Sequence, residues 1–334
     1  MADTRLTGLS NIGEQLALND QLYVVNVSDT SQNAAGSSNS TLLNYVLAML
    51  APCPVRLTLE TGVPASIADQ ATKSTLYATL FGNGNILSLY DGTRLIGDTI
   101  SADLSLTLSG LTSGKNYDVV CYDSSGTPTL DLMPAWTNDT TRANGVSIQN
   151  GFWANSGTIT TVINSVSLTA GKGRLLGTIR ADGTTTTSDT AATRLVANVQ
   201  NLLPRGLTSG AGDSHTYATN TEREWNGGSG NLPRSTFLVP IQGPTFLAFG
   251  SWRDNSSSTT DNYTMQVALD TTSLQTGTFN QVTGNSGFIA AGLAMNRSGA
   301  AIPGIGYHYI TLRENVYGGT MNVDGGQTAG IIFI

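Results

Sequence analysis

The chain has 334 residues, enough for two or three domains and a sizeable core. Only 12% of it is charged, which excludes a salt-bridge-laced helical protein and a charge-rich disordered one. A formal net charge of -7 with 16 scattered Lys and Arg leaves no basic stripe to neutralise phosphates, so no nucleic-acid partner is expected. The 38 glycines and 10 prolines, set among abundant Ser, Thr and Asn, predict many short strands joined by tight turns. The expected class is mainly β, with antiparallel sandwich or barrel domains. No apolar run approaches the roughly 20 residues that cross a bilayer, so membrane insertion is not expected. Met1 to Ser10 does not read as a secretory signal. Cys53 and Cys121 lie far apart in no metal-ligand spacing; two buried thiols are the plainer reading and a disulfide the alternative.

Taken in order, Leu22 to Val27 reads as a strand and Ser28 to Asn39 as a small-residue loop. Leu42, Leu43, Val46, Leu47 and Leu50 repeat at helical spacing until Pro52 and Pro54 stop them. A unit of this size has too little core to stand alone and should dock on something else. Residues 1–54 are therefore set apart as a small N-terminal module. The phrase LSNIGEQLALNDQLYVVNVSDTS, followed by a small polar loop and an apolar segment, resembles the N-terminal module of tailed-bacteriophage fibres and other virion proteins. It departs from that pattern at Asn26, where Asp is common, and at Ser40 and Thr41, where lysines are usual. The resemblance implies attachment to phage tail or capsid proteins through this module.

Short strands follow at Arg56 to Glu60, Thr75 to Phe81 and Asn85 to Tyr90. In Asp103 to Ser109, Leu104, Leu106 and Leu108 alternate with polar neighbours, the mark of a half-buried antiparallel strand. Tyr117 to Tyr122 returns as another strand after the turn at Gly110 to Lys115. The ordered phrases SLYDGTRLI, LSLTLSGLTSGKNYDVVCYDSSGTPTLDLMPAWTNDTTRANGVSIQNGFW and GRLLGTIRADGTTTTSDTAATRLVANVQNLLPR resemble a module shared by many phage structural proteins, and DSHTYATNTEREWNGG extends the likeness. Residues 55–240 are read as that module. The resemblance implies a virion protein, assembled in the bacterial host cytoplasm: a short homotrimeric tail fibre contributing to host attachment, or a head fibre or capsid decoration (cement) protein stabilising the shell.

Within this module, Arg174 to Arg205 gives the clearest local signals. Leu175, Leu176 and Ile179 make a strand ending at Asp182-Gly183. Thr187 or Ser188 can cap a helix, Asp189 suits its positive end, and Pro204 cannot continue it. The spacing predicts an amphipathic helix over 188–203, with Ala192, Leu195, Val196, Val199, Leu202 and Leu203 on one stripe. That stripe needs a cover. A sheet is the simpler one, and copies of the chain are the other, which makes Leu195, Val199 and Leu202 candidate oligomer-interface residues.

Residues 241–334 read as a C-terminal β-sandwich, exposed or host-facing. Tyr263, Met265, Val267 and Leu269 alternate with Thr264, Gln266 and Ala268, and His308, Ile310 and Leu312 share one face of their strand. The apolar end Gly330 to Ile334 must be paired in a sheet or buried. Trp252, Tyr263, Tyr307 and Tyr309 are candidate receptor-binding residues for a host surface glycan or protein, since aromatic side chains give large contact areas. Core burial of half or more of them is the plainer alternative.

No catalytic residue is assigned. Gly171-Lys172-Gly173 lacks the glycine and hydroxyl residue that a phosphate loop needs around it, so it reads as a turn. His215 and His308 have no second ligand at metal spacing. Glu222 and Glu224, beside Trp225, form the only close glutamate pair and would suit a glycan depolymerase, but a strand edge with ion pairs to Arg223 or Arg234 explains them better. No enzyme activity, cofactor or metal is expected. Neither a heptad run nor an internal repeat supplies a fibre shaft.

Overall fold

A computed structural model describes residues 21–26, 37–42, 52–82, 84–211, 213–242, 246–254, 262–270, 279–283, 287–295 and 303–334. In the N-terminal module the strand Gln21–Asn26 pairs antiparallel with Ser37–Leu42, so part of the expected loop is strand. The helical spacing that continues to Leu50 lies outside the described residues. The rest of the described chain forms two sandwiches of antiparallel sheet, with no α-helix among the described residues.

In the first sandwich, a three-stranded sheet of Val55–Thr58, Thr75–Leu80 and Leu104–Thr107 faces a six-stranded one. The larger sheet runs Pro128–Leu132, Asn116–Asp123, Arg174–Arg180, Phe152–Asn155, Val146–Gln149, with Val196–Asn198 also paired to Arg174–Arg180. Alternation decides the packing, because every second side chain of each strand points inward. Leu57, Leu76, Ala78 and Leu106 from one sheet meet Val119, Cys121, Leu176 and Ile179 from the other in a single core. The outer face of the larger sheet carries a second small cluster, Val120, Tyr122, Met133, Ile159 and Leu168.

The second sandwich has eight main strands: Pro204–Ala211, Ser235–Val239, Phe246–Asp254, Asn262–Leu269, Phe279–Thr283, Gly287–Met295, Gly306–Gly318 and Met321–Phe333. Counted first to eighth, one sheet runs 1-8-3-6 and the other 2-7-4-5. That order is the double Greek key of a jelly roll, an arrangement of two sheets packed face to face. Its core brings together Trp225, Phe237, Trp252, Tyr263, Met265, Ile310, Leu312 and Ile332. This core begins at Ala197, so residues 197–240 contribute to it as well as the later strands. The apolar end is paired on both sides, because Met321–Phe333 lies between Pro204–Ala211 and Phe246–Asp254.

The segment read as a helix over 188–203 is strand and turn. Thr187–Asp189 pairs with Gln70–Lys73, Thr193–Arg194 runs parallel to Ser235–Val239, and Val196–Asn198 pairs with Arg174–Arg180. Ser188 spends its hydroxyl on the backbone N–H of Thr72 and on Asp182 instead of capping a helix. Pro204 opens the next strand. The physical reason is that Arg194 to Val199 are all buried: Val196 enters the first core and Ala197 the second. Three- and four-residue apolar spacing is then produced by a stretch covered on both faces, for which periodicity alone does not separate helix from strand. Thr193, Val196, Asn198 and Val199 are moreover weak helix formers.

Candidate functional site

The residues of greatest chemical interest form two groups: the seam where the sandwiches meet and a charged rim on the second sandwich.

At the seam, Asp118 sits in the middle of an apolar strand and is 1% exposed. A carboxylate placed there needs a cation and hydrogen-bond donors. Arg142 supplies a two-point contact, Nε to Oδ2 at 2.6 Å and Nη2 to Oδ1 at 3.0 Å. Trp136 Nε1 and Thr178 Oγ1 donate to the same carboxylate at 3.1 and 2.7 Å. The Arg142 guanidinium lies 4.4 Å over the Trp136 ring and donates a further bond, at 2.5 Å, to the carbonyl of Pro240 in the second sandwich.

The turn between Trp136 and Arg142 is shaped by Asn138, whose Oδ1 accepts from the Thr140 N–H at 3.0 Å in an Asx turn. It presents Asp139 to the other sandwich. The Asp139 carbonyl accepts from the Tyr307 N–H, and from Asn116 Nδ2, both at 2.9 Å. Its carboxylate pairs with Arg180 at 2.7 Å, and that guanidinium lies 3.7 Å over the Tyr307 ring. At Gly306, with φ 125°, an added Cβ would overlap the Asp139 carbonyl oxygen, so a side chain is disfavoured there. Burial pushes the Tyr307 hydroxyl up from its ordinary value, with Arg180 opposing the shift.

Two further ties cross the seam. Asp189 accepts from both Arg194 and Arg205 at 3.1 Å, and Arg194 also donates to the Gly206 carbonyl at 2.9 and 2.8 Å. Arg56 of the first sandwich donates to the Ile334 carbonyl at 2.6 Å and to that of Asn201. Burial holds Arg56 down to about 10, with Arg205 adding to the shift and Asp189 opposing it.

The charged rim lies along the pairing of Arg223–Glu224 with Gly306–Gly318. Glu222 contacts Arg313 at 2.5 Å, Arg223 contacts Glu314 at 2.6 Å, and Glu224 contacts Arg234 at 2.6 Å. Glu314, 1% exposed, takes a second bond from His215 Nε2 at 2.6 Å, and His215 stands edge-on to Trp225 at 4.9 Å. Arg223 and Arg234 lie over the rings of Tyr217 and Tyr309 at 3.6 and 4.2 Å. Glu222 and Glu224 therefore each face a guanidinium, and they do not form an open pair across one bond.

The other sequence-predicted residues are placed as follows. Trp252 and Tyr263 are buried in the second core, which corrects their reading as contact residues: their rings fill the space between the sheets. Tyr307 and Tyr309 are half-buried, and each is covered on one side by an arginine. Leu195 and Val199 are buried within a single chain and leave nothing for a subunit interface, while Leu202 is 42% exposed. Leu202 has exposed apolar company, since Ile331 (41%) and Phe333 (43%) lie on the strand paired to Pro204–Ala211. His308 is held by Asp270 at 2.9 Å and the Gly304 carbonyl at 3.0 Å. Gly171-Lys172-Gly173 forms a turn closed by Lys172 N–H to the Thr169 carbonyl at 3.2 Å. Both cysteines are free thiols, pushed up by burial.

Sequence reasoning assigned no role to Asp118, Asp139, Arg142 or Arg180. A usable signal was present: Asp118 stands alone in the apolar strand NYDVVCYD, and a lone buried carboxylate requires a distant cation.

No protein-family model matches the chain, and no curated protein sequence matches it. Among solved structures it is similar to a family two carbohydrate esterase from Cellvibrio japonicus, at 14% identity and a TM-score of 0.18, over 40% of this chain and 36% of that one. It is similar to a structure of infectious bursal disease virus, Gx strain, at 13% identity and a TM-score of 0.25, over 83% of this chain and 66% of that one. A VP2 subviral particle of infectious bursal disease virus gives 13% identity and a TM-score of 0.26, over 83% and 67%. The chain thus spans about a third of the esterase and about two thirds of the viral proteins. At TM-scores this low the likeness carries no function to this chain.

Proposed function

We propose that the protein is a non-enzymatic structural component of a tailed-phage particle, a short homotrimeric fibre that contributes to host attachment. One coincidence carries the reading. The phrases WTNDTTRA and RLLGTIRADGTTTTSDTAATRLVANVQNLLPR, which resemble the shared phage module, contain residues that reach across to the second sandwich: Arg142 to the Pro240 carbonyl, Arg180 over the Tyr307 ring, and Thr193–Arg194 beside Ser235–Val239. What such proteins would share is then the joint between the two sandwiches. Residues 1–54 would attach to tail or capsid proteins, and the second sandwich would project. Several weakly binding copies would engage one surface, raising avidity without any single strong contact. The exposed row Leu202, Ile331 and Phe333 is the natural place for copies of the chain to meet.

Electron microscopy of virions labelled with antibody to the whole chain tests this. Label at the tail, with adsorption blocked by the purified protein, supports the fibre. Label spread over the head moves the reading to a head fibre or capsid decoration protein, which the lack of a heptad shaft or repeat favours. No label on any particle removes the virion assignment. A glycan depolymerase is the remote alternative. It requires host polysaccharide hydrolysis that disappears in Glu222→Gln or Glu224→Gln.

A further inference from the structure

A surface hollow of about 440 Å³ lies on the first sandwich, where Ser74 turns the strand Gln70–Lys73 into Thr75–Leu80. Its volume falls in the range of small-molecule sites, roughly 300–1,000 Å³. The lining is mostly polar: Glu60, Thr61, Gln70, Lys73 and Ser74 stand around one aromatic residue, Tyr77, which is half-buried. Gln70 is fixed from below, donating to Glu60 Oε2 at 3.3 Å and to Ser66 Oγ at 3.1 Å. Thr61 is turned toward Asp103 at 3.0 Å. Among the described residues, the Lys73 ammonium and the hydroxyls of Ser74 and Tyr77 have no hydrogen-bond partner, unlike the arginines and carboxylates of the rim.

The backbone at this edge is strained. Thr72 has φ 50°, in the left-handed region that a β-branched residue rarely enters. Its N–H is held by Ser188 Oγ at 2.8 Å, next to a register shift between Thr187 and Asp189. Strain of this kind persists only where the surroundings enforce it, and it gathers at binding and functional sites. The next residue, Lys73, lines the hollow.

One lysine and one glutamate leave the lining without net charge, so a charged ligand gains little from it. A polyhydroxylated ring can use both: its hydroxyls donate to Glu60 and accept from Lys73, while its C–H face packs on Tyr77. We propose that the hollow is a subsite for a single neutral pyranose ring of a host surface polysaccharide. The inference rests on the host-contact reading and moves that contact from the aromatic residues of the second sandwich to the first. A single subsite is weak, and repeated copies on a particle multiply it.

The test uses the whole protein. Methyl glycosides of glucose, galactose and mannose serve as probes in saturation-transfer NMR, together with an array of neutral and acidic bacterial polysaccharide fragments. At least one neutral pyranoside is expected to bind, with affinity reduced about tenfold in Tyr77→Ala. The milder Lys73→Ala and Glu60→Gln variants, in which the chain keeps the melting temperature of the parent, are expected to weaken binding as well. Binding of acidic fragments only, no binding of any neutral sugar, or binding unchanged in all three variants overturns the proposal. Adsorption blocking by the purified protein separates the two readings. If Tyr77→Ala blocks as well as the parent chain, the host-contact reading stands and the subsite falls. If the sugar binds but no virion carries the protein, the subsite stands and the particle assignment falls.

Discussion

Asp118 and Glu314 are two carboxylates of equal burial, each at 1% exposure on a β-strand and each bound by an arginine, yet they hold different things together. The partners of Glu314, Arg223 and His215, belong to strands of the same sandwich. Arg142, bound to Asp118, continues to the Pro240 carbonyl and so ties one sandwich to the other. The same chemistry closes a single body in one case and joins two bodies in the other. The difference lies in where the cation's spare donor goes.

Breaking each pair should separate these roles. Arg142→Met leaves a buried carboxylate without its cation and is expected to lower stability by about 3–5 kcal/mol. Differential scanning calorimetry is expected to resolve two transitions in this variant and one in the parent chain. Glu314→Gln keeps the shape but weakens two charged bonds, for an expected loss of about 1–3 kcal/mol in denaturant titration with the single transition retained. Two transitions in Glu314→Gln and one in Arg142→Met would reverse the comparison. Gly306→Ala sharpens it from the other side of the joint: φ 125° and the adjoining Asp139 carbonyl make a Cβ unfavourable, with an expected loss of about 1–3 kcal/mol.

The smallest effect concerns a carboxyl that neither joins nor closes. Burial, and then the charge of Asp123, push Asp98 up from 3.8 to about 6. Between those values the folded chain keeps a proton that the unfolded chain has released, so this group's contribution to stability is present below about pH 4 and is lost as pH rises through about 6. Asp98→Asn should flatten that part of the stability–pH curve, measured by denaturant midpoints from pH 4 to 7. An unchanged slope would assign the pH dependence elsewhere.

Much of the β-structure is legible in the sequence because alternation is a local property. Leu104, Leu106 and Leu108 announce one strand, and His308, Ile310 and Leu312 another, without reference to any neighbour. The seam is not legible in this way. Arg194 to Val199 are covered on both faces by two different cores, and the resulting pattern imitates a helix stripe. The aromatic residues mislead for a related reason: Trp252 and Tyr263 have the composition of a contact surface, but their depth depends on which sheet lies opposite. Asp118 and Arg142 are 24 residues apart, and only the folded strand order brings them together.

The tie between Arg56 and Ile334 spans 278 residues. Contacts so remote in sequence form only after a large loop has closed, and folding slows as such contacts dominate. Hairpins such as Ile86–Tyr90 with Leu95–Thr99 can assemble early, whereas the first sandwich gains this bond only after the eighth strand of the second is in place. The chain should therefore refold slowly, through states that leave the strand edges at the seam open to neighbouring molecules. High yields would then call for dilute refolding or chaperone assistance.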